Sequence, residues 1–180
     1  MSDTSNTQIN VAQLLKSPVG ATRQYDMEAT VPSLANEAEL TRPVVGEVRL
    51  TRTSEGVLAQ GHFSTEVKLT CDRCLATFKY TIEFNVEEQY APTVDINTGR
   101  WLKVEEMDPA LLIDKHHILD LEEVFRQGIY LEIPMHSICR PDCRGLCPCC
   151  GKNLNEGLCD CTDDEADPRW ETLRALLKER

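Results

Sequence analysis

The chain has 180 residues, 41% of them hydrophobic, with nine cysteines and a formal net charge of −11. It is long enough for one sizeable domain plus a small appendage, too apolar for full disorder, and too acidic for the broad basic face of a general nucleic-acid binder. No apolar run approaches the roughly 18 residues of a membrane span, Met1 to Asn10 lacks the apolar core of a signal peptide, and the odd cysteine count argues against a fully paired disulfide framework, so a reducing cytoplasm is the expected compartment.

Residues 1–8 read as a disordered tail, and residues 9–134 as an α+β sheet domain. Ile9 to Leu15 is a short apolar segment expected to form an edge strand. Ser17-Pro18-Val19-Gly20 turns the chain, Tyr25 to Val31 reads as another strand, and Pro32 to Pro43 as irregular. From Val44 the pattern is β. Val44 to Arg52 places Val44, Gly46, Val48 and Leu50 on one face, and Ser54-Glu55-Gly56 supplies a turn. Val57 to Thr70 places Val57, Ala59, Phe63, Val67 and Leu69 on one face and Gln60, His62, Ser64, Glu66 and Lys68 on the other. Leu75 to Tyr90 follows, with Ala76, Phe78, Tyr80, Ile82, Phe84 and Val86 on its apolar face. This alternation predicts an antiparallel β-meander with one wet side, His62 on that side.

Ala91 to Pro109 reads as a long acidic loop, pinned to the sheet by Trp101 and Leu102. His116 and His117 lack ligand spacing and are expected to be surface or satisfied residues. Asp120, with Glu123 three residues on, predicts a capped helix, and Leu121, Val124, Phe125, Gly128 and Ile129 at helical spacing predict that it packs on the sheet. Ile133-Pro134 ends it. Residues 135–162 read as a cysteine-rich metal-binding segment and residues 163–180 as a C-terminal helix, with Asp167 as its cap, Pro168 at its first position and a stripe of Trp170, Leu173, Leu176 and Leu177.

Seven of the nine cysteines fall between Cys139 and Cys161, among Pro141, Gly145, Pro148, Gly151 and Gly157. Such a segment cannot build a core of its own, and a metal is the simplest agent to fix its shape. Soft thiolates suit zinc, and Cys147-Pro-Cys149-Cys150-Gly151 has the form of a zinc knuckle with Cys147 and Cys150 as ligands. The glycine after the second ligand permits a positive φ. The second pair is either Cys159 with Cys161 or Cys139 with Cys143, which gives one Zn(2+) held by four of these six. Cys149 sits at the variable knuckle position, outside the ligand set. Cys71-Asp-Arg-Cys74, at a hairpin tip, is a candidate second half-site; with the six tail thiols it makes eight, enough for two four-cysteine sites. His136, three residues before Cys139, is a substitute ligand by spacing alone.

The acid is concentrated in residues 82–133, which carry twelve acidic and four basic side chains. This suits a solvated surface or a dock for a basic protein. RNA contact on so acidic a chain would have to be local, around Arg140, Arg144 and Lys152, with Arg73 at the hairpin tip.

The order of these motifs carries a resemblance. Cys71-Asp-Arg-Cys74-Leu75, Cys143-Arg-Gly-Leu-Cys147-Pro-Cys149-Cys150-Gly151, Asn153-Leu-Asn155, Cys159-x-Cys161 and Asp167-Pro-Arg169 together resemble the bacterial YceD family, the large ribosomal RNA subunit accumulation proteins. The resemblance runs roughly from Val11 to the C-terminus. It implies a cytoplasmic protein needed for large-subunit (23S) ribosomal RNA to accumulate and does not imply a catalytic site, so a non-enzymatic role is expected; the acidic middle of the chain points to a ribosomal protein or large-subunit ribonucleoprotein precursor as partner rather than naked RNA. The residues themselves show no nucleophile–base set, phosphate loop or paired-carboxylate site. The alternative is a thiol redox protein or sensor using Cys71 and Cys74, although the βαβ setting of a thioredoxin-like pair is absent from the pattern.

Overall fold

The computed structural model describes residues 6–31, 39–104 and 107–161. In chain order the elements are β1 (Gln8–Asn10), α1 (Ala12–Leu15), β2 (Thr22–Ala29), β3 (Glu39–Leu40), β4 (Val44–Arg52), β5 (Val57–Thr70), β6 (Thr77–Pro92), a 3-10 turn (Pro109–Leu111), β7 (Leu112–Ile113), β8 (Ile118–Asp120) and α2 (Glu122–Glu132). The expected C-terminal helix lies outside the described residues.

One sheet runs in the order β2-β4-β5-β6-β7, with β3 paired to β5. The β2–β4, β3–β5 and β4–β5 pairings are antiparallel, and the short β6–β7 pairing is parallel, so the sheet is mixed. A separate ribbon joins β1 to β8 with Gln8 opposite Asp120. The predicted alternation sorts the faces: Val48, Leu50, Val57, Ala59, Phe63 and Val67 are buried, while Glu47, Gln60, His62 and Lys68 face solvent. His62 Nδ1 lies 2.9 Å from Asn85 Oδ1 on that wet face.

Helix α2 closes the buried side with Val124, Phe125 and Ile129. Phe125 meets Phe63 at 4.5 Å between ring centroids and Phe84 at 5.9 Å, an aromatic cluster at the sheet–helix contact. Gly128 makes the approach close enough: a Cβ there would sit 2.5 Å from Cδ2 of Phe84.

Several local expectations are corrected. Thr7 is fully buried and Gln8 already belongs to β1, so the expected disordered tail does not reach these two residues; residues 1–5 lie outside the described residues. Ile9 to Leu15 is strand only to Asn10, whose Oδ1 accepts from the Ala12 N–H at 3.0 Å and turns the chain into α1, with Leu14 and Leu15 buried. Strand β2 begins earlier and stops before Val31, because its partner β4 offers only Val44 to Thr51 for pairing. Strand β6 starts at Thr77, since Leu75 is in the left-handed region (φ 57), and its buried face begins at Ile82. The loop after β6 is tied through its backbone, by the Thr93 N–H on the Ile113 carbonyl and the Leu102 N–H on the Thr93 carbonyl, while Trp101 bridges Val94 through its backbone and leaves its side chain, like that of Leu102, exposed.

The helix start also differs. Leu121 is the N-cap of α2 and has no side-chain acceptor to offer; Asp120 Oδ1 takes the Glu122 N–H at 2.9 Å, while Glu123 turns to Arg126 and Gln127 instead of back to the cap. His117 sits at φ 61 in a turn held by Asp114, and its Nδ1 is buried with no hydrogen-bond partner among the described residues.

Candidate metal centres

The chain divides into two compact units: Met1–Leu69 with Thr77–Ser137, and Thr70–Ala76 with Ile138–Arg180. The hairpin tip therefore belongs with the cysteine-rich tail. Two stretches of this second unit fold into the same turn. At Cys71–Ala76, the Leu75 N–H donates to the Cys71 carbonyl and the Cys71 N–H to the Ala76 carbonyl, both at 2.9 Å. At Cys147–Lys152, the Gly151 N–H donates to the Cys147 carbonyl and the Cys147 N–H to the Lys152 carbonyl, again both at 2.9 Å. The fifth residue is left-handed in each, at φ 57 for Leu75 and φ 72 for Gly151. In both turns the two cysteines of a C-x-x-C pair point to one side.

Each turn gathers a second pair. Cys71, Cys74, Cys139 and Cys143 bring their sulfurs within 4.8 Å of one another, and so do Cys147, Cys150, Cys159 and Cys161. In the first quartet Cys71 Sγ lies 3.9 Å from Cys143 Sγ and Cys74 Sγ 3.7 Å from Cys139 Sγ. A tetrahedral site with metal–sulfur bonds of about 2.3 Å has sulfur–sulfur edges of about 3.8 Å, so this spacing fits one ion at the centre. An iron–sulfur cubane needs its cysteines farther apart, because each binds a different iron.

The electrostatics agree with a cation. The Cys139 backbone N–H, followed by those of Cys74 and Arg73, lowers the Cys71 thiol to about 6 despite burial. The N–H groups of Cys150 and Cys149 lower Cys147 to about 6. The Asn155 amide, 3.4 Å away, lowers Cys143. Their neighbours move the other way. Burial and the sulfurs of Cys71 and Cys74 push Cys139 up to about 12, and the Cys150 sulfur with burial pushes Cys161 up to about 12. Cys74 is raised too: the Ala76 N–H favours its thiolate, but burial and the sulfurs beside it outweigh that bond. Four thiolates cannot crowd together alone; a central divalent ion removes the repulsion.

The surroundings of the first quartet are built by the tail. Arg73 donates to the Cys143 carbonyl at 3.1 Å, and Gly145 packs on Arg73, where a Cβ would come within 3.0 Å of its carbonyl oxygen. Asn155 also accepts, through Oδ1, the Arg144 N–H and the Arg140 guanidinium at 2.9 Å each. In the second quartet Cys147 is buried, Cys159 half-buried, and Cys150 and Cys161 exposed.

The single quartet expected from six tail cysteines thus becomes two groups of four in the geometry, which pairs Cys147 and Cys150 with Cys159 and Cys161, and pairs Cys139 and Cys143 with Cys71 and Cys74. Cys149 and His136 fall in neither. Of the four cations nominated for RNA or partner contact, three are engaged internally: Arg140 with Asn155 and Asp142, Arg73 with Cys143, and Lys152 with the Leu158 carbonyl at 2.7 Å. Among the described residues the Arg144 guanidinium has no such partner. Sequence reasoning passed over the supporting role of Asn155, although Asn153-Leu-Asn155 stood among the motifs. It also treated Leu75 as the start of a strand; its place directly after a C-x-x-C pair, matching Gly151, was the signal.

A mostly-sheet protein carrying two four-cysteine knuckle sites capable of holding metal is the class these features define. The profile of the family described as large ribosomal RNA subunit accumulation protein YceD matches residues 59–177, and the chain belongs to that family. An uncharacterised protein of Mycobacterium bovis is 32% identical over 73% of the chain and 60% of its own length, so the chain spans less than two thirds of that relative. One from Mycobacterium leprae is 28% identical over 84% of the chain and 70% of its own. A chloroplastic protein of Arabidopsis thaliana, named large ribosomal RNA subunit accumulation protein YCED homolog 1, is 36% identical over 34% of the chain and 19% of its own. No solved structure matches. Among the described residues no helix is long and apolar enough to cross a membrane.

Proposed function

We propose that the chain is a non-enzymatic ribosome-biogenesis factor that supports accumulation of large-subunit (23S) ribosomal RNA in the cytoplasm, and that each cysteine quartet holds one structural Zn(2+). The observation that carries this reading is the recurrence of one turn, at Cys71–Ala76 and Cys147–Lys152, with four sulfurs gathered at each, in a chain whose family is described by that role. When bound, zinc supplies four metal–thiolate bonds to backbone that lacks an apolar core of its own. The chain's own part is to aim the sulfurs, to direct N–H groups at Cys71 and Cys147, and to fix Cys143 through Asn155.

The redox alternative is disfavoured by access. Cys71 is 0% exposed and Cys74 6%, and each faces a further cysteine, so an incoming disulfide has no line of attack. For partners, the acid of residues 82–133 suits a basic ribosomal protein or a large-subunit ribonucleoprotein precursor. Of the four cations nominated for contact, Arg144 is the one whose guanidinium has no internal partner among the described residues, which favours a local RNA contact over a broad one.

The test is purification of the tagged chain from growing cells with bound RNA and protein both identified, alongside depletion of the chain. Large-subunit precursor should copurify, and 23S RNA should fall relative to small-subunit RNA. Recovery of neither, with 23S RNA unchanged, overturns the reading.

A further inference from the structure

The two quartets differ in what surrounds them. Cys71, Cys74 and Cys143 are buried, at 0%, 6% and 4% exposure, and Cys139 is half-buried. The second quartet opens to solvent at Cys150 and Cys161. Its second pair stands on residues 158–161, for which the backbone bonds between elements among the described residues include none. Among the described residues, a side-chain tie to that stretch runs from Lys152 Nζ to the Leu158 carbonyl. Exposure and thiolate character set the rate at which a cysteine is oxidised. The quartets therefore share a ligand set and differ in reach.

We propose that Cys147, Cys150, Cys159 and Cys161 form a modification site as well as a metal site: a peroxide oxidises these thiolates to a disulfide and frees the ion they hold, while the buried quartet keeps its own. The proposal rests on the reading that both quartets bind zinc. An exposed thiolate, at Cys150 or Cys161, attacks the peroxide O–O bond; its sulfur becomes a sulfenic acid and hydroxide leaves. A second thiolate of the quartet attacks that sulfur, the S–S bond forms and a second hydroxide leaves. Two thiolates lose one electron each, the peroxide is reduced to two waters once two protons are taken up, and the zinc ion departs because two of its four donors are gone. The sulfurs already lie within 4.8 Å of one another, so side-chain rotation brings a pair to bonding distance.

The experiment counts zinc by native mass spectrometry on the full chain during a hydrogen peroxide titration, then maps disulfides after alkylation. The expected course starts at two zinc ions, one per quartet, and passes through a one-zinc species. Its disulfide should join two of Cys147, Cys150, Cys159 and Cys161, with Cys71, Cys74, Cys139 and Cys143 still thiols. The second ion should leave at least about tenfold more slowly than the first. Simultaneous loss of both ions, or a first disulfide within the buried quartet, overturns the proposal. Cys149→Ser, outside both quartets, should release the first ion as the wild type does; loss of the response in that variant makes Cys149 the target and also overturns it. Protein isolated without any zinc sinks the underlying metal reading, a result distinct from a two-zinc protein that peroxide empties indiscriminately.

Discussion

Asn155 donates from Nδ2 to Sγ of Cys143 across 3.4 Å, although it lies in sequence between Cys150 and Cys159, inside the segment of the other quartet. Its amide orientation is fixed, because Oδ1 accepts two donors, the Arg144 N–H and the Arg140 guanidinium. Asn155→Ala removes a bond that favours the thiolate of Cys143 and takes an acceptor from the Arg144 N–H and from Arg140, which keeps Asp142. Supporting residues of this kind contribute about 10–100-fold in metal affinity. Competition with a chromophoric chelator should show the loss at the buried centre, with the metal count unchanged at saturating zinc. Equal affinities for wild type and variant would remove Asn155 from the account.

Leu75 and Gly151 invite exchange. A left-handed conformation costs an L side chain about 1 kcal/mol or more, and the open space around Gly151 offers a leucine nothing in return. Gly151→Leu should lower the unfolding free energy of the zinc-loaded protein by about that much. In Leu75→Gly the strain relieved is offset by the greater freedom of glycine in the unfolded chain, and stability should stay within about 0.5 kcal/mol of wild type. Denaturant titration of the two variants reads the asymmetry.

Cys150 and Cys149 are adjacent, both exposed, and only Cys150 belongs to a quartet. Cys150→Ser should lower the zinc content of isolated protein by one ion per chain, and Cys149→Ser should leave it unchanged. Elemental analysis of the two distinguishes them; equal losses would mean that the register of the knuckle is wrong.

Gly128→Ala sets helix propensity against packing. Alanine is favoured over glycine in a helix by about 1 kcal/mol, but its Cβ would fall 2.5 Å from the ring of Phe84. That ring is locked among Phe63 and Phe125 and cannot withdraw freely. Overpacking of this kind costs about 1–3 kcal/mol, so the net effect should be destabilising, read as a lower midpoint in urea. A more stable variant would show that α2 can move off the sheet.

Arg126 and then Gln127 hold the carboxylate of Glu123 down to about 2, from 4.5. A carboxylate depressed on folding contributes stability in full above its unfolded value, here about 4.5, and loses it as pH falls toward 2. Glu123→Gln should therefore be slightly less stable than wild type at neutral pH, with the difference shrinking below pH 4.5. The pair is solvent-facing, so the effect should be smaller than that of Gly128→Ala. Thermal melts from neutral pH into that acid range check the sign.

Sequence alone revealed the strands best where apolar residues alternate over many positions, as in β4 and β5, because the buried face admits one register only. It was poorest where a side chain redirects the backbone. Asn10 ends β1 and Leu75 delays β6, and neither event leaves a periodic trace. The crowding of the cysteines marked the tail as a candidate metal site, but the partition into quartets depends on which pairs the fold brings face to face. Cys71 and Cys143 are 72 residues apart, and spacing rules reach only across a turn.

The same separation sets an order of events during synthesis. Cys71 and Cys74 are made early, and the last two donors of their quartet follow only when Cys139 and Cys143 have been added, 65 residues after Cys74 in the case of Cys139. A nascent chain ending anywhere before Cys139 can offer that centre two sulfurs and no more. Strand β6 and helix α2 lie entirely within the interval, so both must have been translated before the quartet can close. Completion of the buried quartet thus marks a polypeptide that has been read through the whole sheet-and-helix region, and a chain truncated inside that interval cannot offer a metal all four of these sulfurs.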